Sequence, residues 1–438
     1  MDLLISFVVF MGAMLWCITC GHTMIIALFI GLIGFIIVGK RRGFKPGELR
    51  DMGVTGFKDA LIVIEVMFTI GLITAVWRVS GTIAFFVYFG IRLITPNLFL
   101  IITFALCCLL SYALGTSFGV AATVGVIFMA LARTGGVSEI LTGAAVMSGI
   151  YFGDRGSPVS SSAILVAAIT RTDILNNVKL MMRTGMVPLA ITTVLYGIFS
   201  FLNPINAVDQ HFLTVLADKF SISWWCVIPA ICMLVLPLLK VKVIYAMAAS
   251  IFTGSIVSIF VQKIPLGQLF DYMVFGYQID GELGVIMNGG GAVSMIEVVV
   301  IVALSSTYSG IFSGTGMLMG LQSKMMPMMK KIGRFATMVV VSLVTVAVFC
   351  NQTIASMMCC DLLKRPYEEL GAQKEELAMD MENSVILLSA VVPWVLACSV
   401  VLDFLQVGYS IVPLSFFLFL TPICYGIQKK VANPFSKE

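Results

Sequence analysis

An all-α polytopic membrane protein of about 11–13 membrane helical elements, built as two inverted-topology repeats with discontinuous helices, is the fold class this sequence predicts. Three observations predict it. Of the 438 residues, 59% are hydrophobic and only 11% charged, against about 25% charged in soluble domains. Apolar runs of near-spanning length recur from one end of the chain to the other. One set of polar and acidic interruptions occurs twice.

The apolar runs are Leu3–Ile18, Met24–Val38, Ala60–Val76, Leu98–Leu114, Met186–Phe201, Trp224–Leu239, Ala246–Phe260, Phe335–Cys350, Ser384–Val401 and Ile411–Ile427. A spanning helix takes roughly 17–25 residues, so this number of runs rules out a single-span anchor. Lys and Arg gather in 39–50, 171–183, 239–242, 324–334 and the tail, and loops of that kind stay in the cytoplasm. With 20–23 as a short outer turn, both termini are expected to be cytoplasmic. The first run has no basic lead and no small-residue cleavage site, so it reads as a retained helix. The expected organisation is N-terminal helices and a basic loop (1–50), a first repeat (51–205), connecting helices (206–282), a second repeat (283–427) and a tail (428–438). The eleven cysteines show no metal-ligand spacing, and His22 and His211 alone exclude a histidine-rich metal site. Nothing points to nucleic acid or to an organic cofactor.

Internal symmetry carries the most information. Glu65 and Glu297 each sit in an Ile-Glu-Val core within an apolar run. Thr116 and Ser117 follow Glu65 by 51 and 52 residues, and Asn351 and Gln352 follow Glu297 by 54 and 55. Asp154 lies 89 residues past Glu65, and Glu382 lies 85 past Glu297. The sequence therefore duplicates with a period of about 230. Gly115, Gly153, Gly156, Pro158 and Pro393 are positioned to break helices, because glycine tolerates unusual dihedrals and proline lacks an N–H.

Unwound backbone survives at membrane depth only when buried in protein or lining a wet cavity. Paired interrupted segments in two halves point to a binding site between them. The candidate ion- and proton-binding residues are Asp154, Ser157, Glu382, Asn383, Thr116, Ser117, Asn351, Gln352 and Thr353, and the expected Na+ position is at Asp154, Thr116 and Asn351. Glu65, Glu297, Arg155, Ser160 and Ser161 are supporting candidates, and Ser162 adds a further hydroxyl. Each has a plainer reading. Asp154 and Arg155 could form a structural pair, Glu65 and Glu297 could be interhelical hydrogen-bond partners, and hydroxyls and amides also join helices. Arg155 suits neutralising a carboxylate or gripping one bidentately. The Gly-rich run 288–292 reads as a turn, and Arg78, Asp403 and His22 as membrane-boundary residues.

At this point the residues carry a resemblance. "GTSFGVAATVGVIFMALA", "GIYFGDRGSPVSSSAILVAAITRTDI", "NGGGAVSMIEVVVIVALS", "CNQTIASMM" and "MENSVILLSAVVPW" resemble, in order, the signature regions of the NhaC-type Na+/H+ antiporter family within the ion transporter superfamily. The resemblance implies a multi-pass protein of the bacterial inner membrane that exchanges Na+ for protons or couples a cation to a small organic acid or amino acid; a homodimer is left open. It also exposes departures. Ser161 stands where the family usually carries an acidic residue, and Asn383 follows Glu382 where the family usually has Glu-Asp. The competing class is an intramembrane aspartyl hydrolase with Asp154 and Glu382 as its pair; the duplicated setting of unlike residues favours a transporter over an enzyme.

Overall fold

The computed structural model describes residues 2–20, 22–93, 96–158, 160–204, 210–239, 241–281, 283–316 and 322–431. Of the expected tail, residues 432–438 lie outside the described residues. Helix α1 (Asp2–Cys20) and α2 (Met24–Arg41) form an opening hairpin. Thr23 caps α2 by accepting from the Ile25 amide, and Lys40 and Arg41 complement its C-terminal dipole. The long α3 (Pro46–Val79) starts with proline at its first turn and bends by 59° into α4 (Thr82–Leu93).

The repeat follows. Helix α5 (Phe99–Leu114) stops at Gly115, and α6 (Ser117–Val120) resumes and passes through a π-helical turn, Ala121–Gly125, into α7 (Val126–Gly135). Next come α8 (Glu139–Gly156), a break, α9 (Ser161–Thr170) and the long α10 (Ile174–Leu202). The connecting region holds α11 (Gln210–Lys219), α12 (Ile228–Leu238), α13 (Val243–Phe260), α14 (Leu266–Phe275) and α15 (Gly284–Met287). The pattern then returns. Helix α16 (Ile296–Thr315) and α17 (Gln322–Ile332) lead to α18 (Arg334–Phe349), a stop at Cys350, and α19 (Gln352–Glu369). Helices α20 (Lys374–Glu382) and α21 (Val385–Leu388) precede a break, α22 (Leu396–Leu405) and the closing α23 (Phe416–Val431).

Backbone dihedrals fix the register of the duplication. Left-handed residues pair as Gly81 with Gly316, Gly115 with Cys350, Gly136 with Gly371, and Arg171 with Gln406, each pair 235 residues apart. Pro158 and Pro393 share that spacing. The expected duplication is present, and its register corrects the sequence reading. At 235, Asp154 is equivalent to Ser389 and Glu382 to Met147, while Glu65 and Glu297 miss each other by one helical turn. Acidic residues are poor markers because the repeat preserves backbone turns and not side-chain chemistry. The expected run Ser384–Val401 is likewise interrupted rather than continuous, with no regular helix between Ser389 and Val395.

The repeats interlock reciprocally. Arg133, near the end of α7, donates to the Leu405 and Gln406 carbonyls at the end of α22 (3.0 and 3.1 Å). Lys364, late in α19, donates to the Ile169 carbonyl at the end of α9 (3.4 Å). Such an exchange between corresponding helix ends is what a two-fold relation between inverted repeats requires. At the seam α3 crosses α16 glycine to glycine: a Cβ on Gly56 would lie 2.2 Å from the Ser306 carbonyl oxygen and 2.8 Å from the Gly310 Cα. Small residues of this kind let membrane helices approach closely.

Four helices among the described residues are long and apolar enough to cross a membrane: Met24–Arg41, Ser117–Gly135, Ile174–Leu202 and Ala292–Phe312, or five with the bent α3–α4 pair. Further apolar helices are shorter, among them Phe99–Leu114, Arg334–Phe349 and Leu396–Leu405, which adjoin the breaks. Ser117–Gly135 is 83% buried and Ile174–Leu202 only 33%, so the broken helices occupy the interior and the unbroken α10 faces outward.

Candidate functional site

The two halves build their first breaks identically. After α5, Gly115 is left-handed and Thr116 extended (φ −143°, ψ 124°); after α18, Cys350 is left-handed and Asn351 extended (φ −137°, ψ 122°). Thr116 Oγ1 accepts from the Gly119 amide (3.2 Å), and Asn351 Oδ1 from the Thr353 and Ile354 amides (2.9 and 3.3 Å). Each therefore satisfies the free N–H groups at a helix start, where the dipole is positive.

The second breaks lock onto the first. Ser157 Oγ donates to the Tyr112 carbonyl (2.6 Å), and Trp394 Nε1 to the Ala347 carbonyl (2.9 Å). These acceptors are equivalent in the 235-residue register. In the second half the Leu396 amide also donates to the Cys350 carbonyl (3.1 Å). Gly153, expected as a helix breaker, instead lies within α8. A Cβ there would stand 2.1 Å from the Ser111 carbonyl carbon, so glycine is required for the packing of α8 on α5. The break falls after Gly156, at Ser157 and Pro158.

Asp154 occupies the centre of this assembly, 3% exposed. Its Oδ2 accepts from Ser162 Oγ (3.1 Å) and from Gln352 Nε2 (3.1 Å), so both repeats hold one carboxylate. Ser160 Oγ donates to the Asp154 carbonyl (2.5 Å), lies 3.4 Å from Oδ1, and caps α9 by accepting from the Ser162 and Ala163 amides. Gln352 Nε2 also lies 3.4 Å from the Ile386 carbonyl, which ties α19 to α21. Ser117 is buried, and the Tyr151 hydroxyl donates to the Ala397 carbonyl (2.5 Å) beyond the second break. Carboxylate, hydroxyl and amide oxygens are hard donors of the kind that alkali and alkaline-earth cations take; the Gln352 amide presents its oxygen if it turns over.

Glu382 differs. It is fully buried at the end of α20, and neither carboxylate oxygen has a hydrogen-bond partner. The charges that act on it are those of Arg155 and Asp154. Asn383 beside it donates to the Met379 carbonyl (2.7 Å) and leaves its own oxygen unpartnered. Arg155 forms no ion pair with Asp154 among the described residues. It turns toward α10, where Nη2 donates to the Met181 carbonyl and Thr184 Oγ1 (3.1 and 3.0 Å). Gly185 makes room for it, since a Cβ there would sit 2.7 Å from Nη1.

Other expected members lie elsewhere. Ser161, directly after the Ser160 cap, and Thr353, two residues after the Asn351 cap, are exposed. Glu65 is exposed on α3. Glu297 accepts a hydrogen bond from Thr23 in the turn between α1 and α2. The sequence reading missed a buried ionic network beside the site. Lys429 Nζ contacts Glu376 (2.7 Å) and both oxygens of Asp380 (2.8 Å each), Arg334 joins Glu376 (3.0 Å), and Tyr367 and Tyr425 donate to Asp380 (2.6 and 2.8 Å). The spacings Glu376/Asp380 and Tyr425/Lys429, each i,i+4, were the available signal. Among the described residues no group of three or more His, Cys, Asp or Glu suits a metal ion.

Two breaks per repeat, a buried carboxylate held across them, and reciprocal packing define a multi-pass secondary transporter of the inverted-repeat class. The Na+/H+ antiporter family model matches residues 3–201 and 149–427, and this chain belongs to that family. It is 26% identical over 421 residues, 92% of each chain, to the Na(+)/H(+) antiporter NhaC of Bacillus subtilis (strain 168). It is 24% identical over 377 residues to the malate-2H(+)/Na(+)-lactate antiporter of the same organism, covering 84% of this chain and 81% of that one. It is 23% identical over 367 residues to the arginine/ornithine antiporter ArcD of Halobacterium salinarum, covering 80% and 75%. The solved YdaH transporter of Alcanivorax borkumensis aligns over 88% of both chains at 13% identity with a TM-score of 0.44.

Proposed function

We propose that this chain exchanges Na+ for protons by alternating access and that Asp154 is the group for which the two cations compete. The observation that carries the reading is the Asp154 carboxylate itself, buried at a helix break and bonded by Ser162 of its own repeat and Gln352 of the other. A carboxylate binds either a proton or a metal cation, and each disfavours the other. Relative movement of the repeats would separate Gln352 from Ser162 and so open the site to one side at a time. Na+ is cargo here, with no other cofactor and no catalytic role for Asp154 or Glu382. The basic segments 171–183 and 324–334 would orient the chain with both termini in the cytoplasm, in the bacterial inner membrane that the family resemblance implies. The decisive measurement is Na+-dependent proton flux in vesicles carrying Asp154→Asn. Flux equal to that of the unaltered protein would sink the reading.

A second reading is favoured by the ligand set. Asp154 is the one acidic residue bonded within its cluster, and the relatives include proteins named for malate, lactate, arginine and ornithine. On this reading the oxygens hold a coupling cation and an organic solute travels with or against it. Counterflow of organic solutes in proteoliposomes separates the two, since a pure Na+/H+ exchanger shows none.

A further inference from the structure

A cavity of about 210 Å³ lies between the end of α3, the Gly289–Gly291 turn, the start of α16 and the end of α22. Arg78, Glu297, Asp403, Gln406 and Ser294 line it. Thr23, in the turn between α1 and α2 that the proposed topology places outside, bonds Glu297, so the cavity lies on the side of that turn.

Arg78 is the informative residue. Its side chain is 3% exposed, Nη1 donates to the Thr74 carbonyl in its own helix (2.9 Å), and Nε has no partner. No ion pair neutralises it among the described residues, although two acids line the same space. Arg133, whose charge acts on Arg78, is committed to Glu139 (2.9 Å) and to the Leu405 and Gln406 carbonyls. Glu297 lies close enough for its charge to act on Asp403. The glycine turn is shaped to this space. At Gly289 (φ 119°) a Cβ would lie 2.5 Å from Gln406 Nε2 and 3.6 Å from Arg78 Nη2, so any side chain would fill the approach to the guanidinium.

A buried guanidinium with a free edge calls for a planar, bidentate anion. Glu297 and Asp403, exposed at the mouth of the cavity and paired with no Lys or Arg among the described residues, can add an ammonium site beside that anion. Na+ would meet the acids but face Arg78, and a plain carboxylate would meet Arg78 but face the acids. We propose that this cavity is an outward-side binding site for an α-amino acid, its carboxylate on Arg78 and its ammonium between Glu297 and Asp403. Gln406 and Ser294 complete the polar rim. For a role in transport, this proposal rests on the second reading above.

The test is equilibrium binding of radiolabelled L-alanine and L-arginine to the full-length protein in detergent, with L-lactate as a competitor that lacks the ammonium. Saturable binding is expected, competed by unlabelled amino acid and not by L-lactate. Arg78→Gln should weaken it at least about tenfold, with Arg78→Lys intermediate, because a bidentate ion pair is lost. Asp403→Asn, at an exposed position, should bring L-lactate within about tenfold of L-alanine. The proposal is overturned if folded, monodisperse protein binds neither amino acid, or if L-lactate competes as well as L-alanine in the unaltered protein. It is also overturned if Asp403→Asn leaves the L-lactate preference unchanged, an outcome that stays readable should Arg78→Gln fail to fold. Counterflow of lactate or malate without amino-acid binding would end the cavity proposal and leave the second reading standing. Amino-acid binding without counterflow of any organic solute would do the reverse.

Discussion

The helix breaks of the two repeats share a backbone and differ in chemistry. Around the first, Pro158 is flanked by Ser157, Ser160 and Ser162, and Oδ2 of the nearby Asp154 carboxylate accepts two hydrogen bonds. Around the second, Pro393 stands between Val392 and Trp394, and the nearby carboxylate of Glu382 has no hydrogen-bond partner. The indole of Trp394 takes over the structural bond that Ser157 makes in the first half. Duplication therefore supplies two breaks of equal shape, of which the first carries the polar side chains. The second half has placed its charge two turns away from the equivalent position and buried an ionic network behind it.

The largest expected effect tests that network. Lys429→Met leaves Asp380 and Glu376 buried without their shared cation, and breaking a buried pair from one side costs about 3–5 kcal/mol. Thermal unfolding in detergent should drop sharply, and Asp380→Asn in the same chain should restore part of the loss. If Lys429→Met unfolds with the unaltered protein, the network is not structural, and the second break is supported by packing alone.

The comparison of the breaks is sharpened by equivalent substitutions. Asp154→Asn removes a charged acceptor whose hydrogen bonds are worth roughly 1.5–3 kcal/mol, so Na+-dependent proton flux should fall at least about tenfold to a hundredfold. Ser389→Ala at the equivalent position removes a bond to the Ile386 carbonyl (2.6 Å) and should leave flux within about twofold. Equal losses in the two variants would mean that both breaks hold ligands and that the asymmetry is only apparent in the resting arrangement.

Glu382→Gln isolates the unpartnered acid. No hydrogen bond is lost, so stability should stay within about 1 kcal/mol. If Glu382 assists by its charge on Arg155 and Asp154, flux should fall about tenfold. Flux unchanged at every pH would reduce Glu382 to a packing residue.

The positions of the breaks were legible in the sequence because glycine, proline and short polar side chains have few other reasons to interrupt apolar runs. The register was less so. Gly81/Gly316 and Gly136/Gly371 print the left-handed turns openly, but Cys350, Arg171 and Gln406 hide theirs behind side chains that seldom adopt positive φ. Acidic residues, conspicuous in apolar runs, suggest a wrong period. Ser162 and Ser161 could not be separated by reading, since helix geometry past the Ser160 cap decides which hydroxyl turns back to Asp154. The Lys429–Asp380 pairing joins residues 49 apart in sequence, so the i,i+4 spacings within α20 and α23 mark the partners but not their contact.

The smallest effect distinguishes backbone duplication from coincidence. Arg171 ends α9 with φ 58° and ψ 49°, and Gln406 ends α22 with φ 53° and ψ 49°. A non-glycine residue in that conformation costs about 1–2 kcal/mol, which glycine relieves while loosening the unfolded chain. Arg171 is exposed, so Arg171→Gly should raise stability by up to about 1 kcal/mol. Gln406→Gly relieves the same dihedral but also loses the Arg133 contact to its side chain (3.4 Å), so its gain should be smaller. Thermal unfolding of both variants reads the order directly. A loss of stability at Arg171→Gly would show that the side chain, and not the turn, is what both repeats keep there.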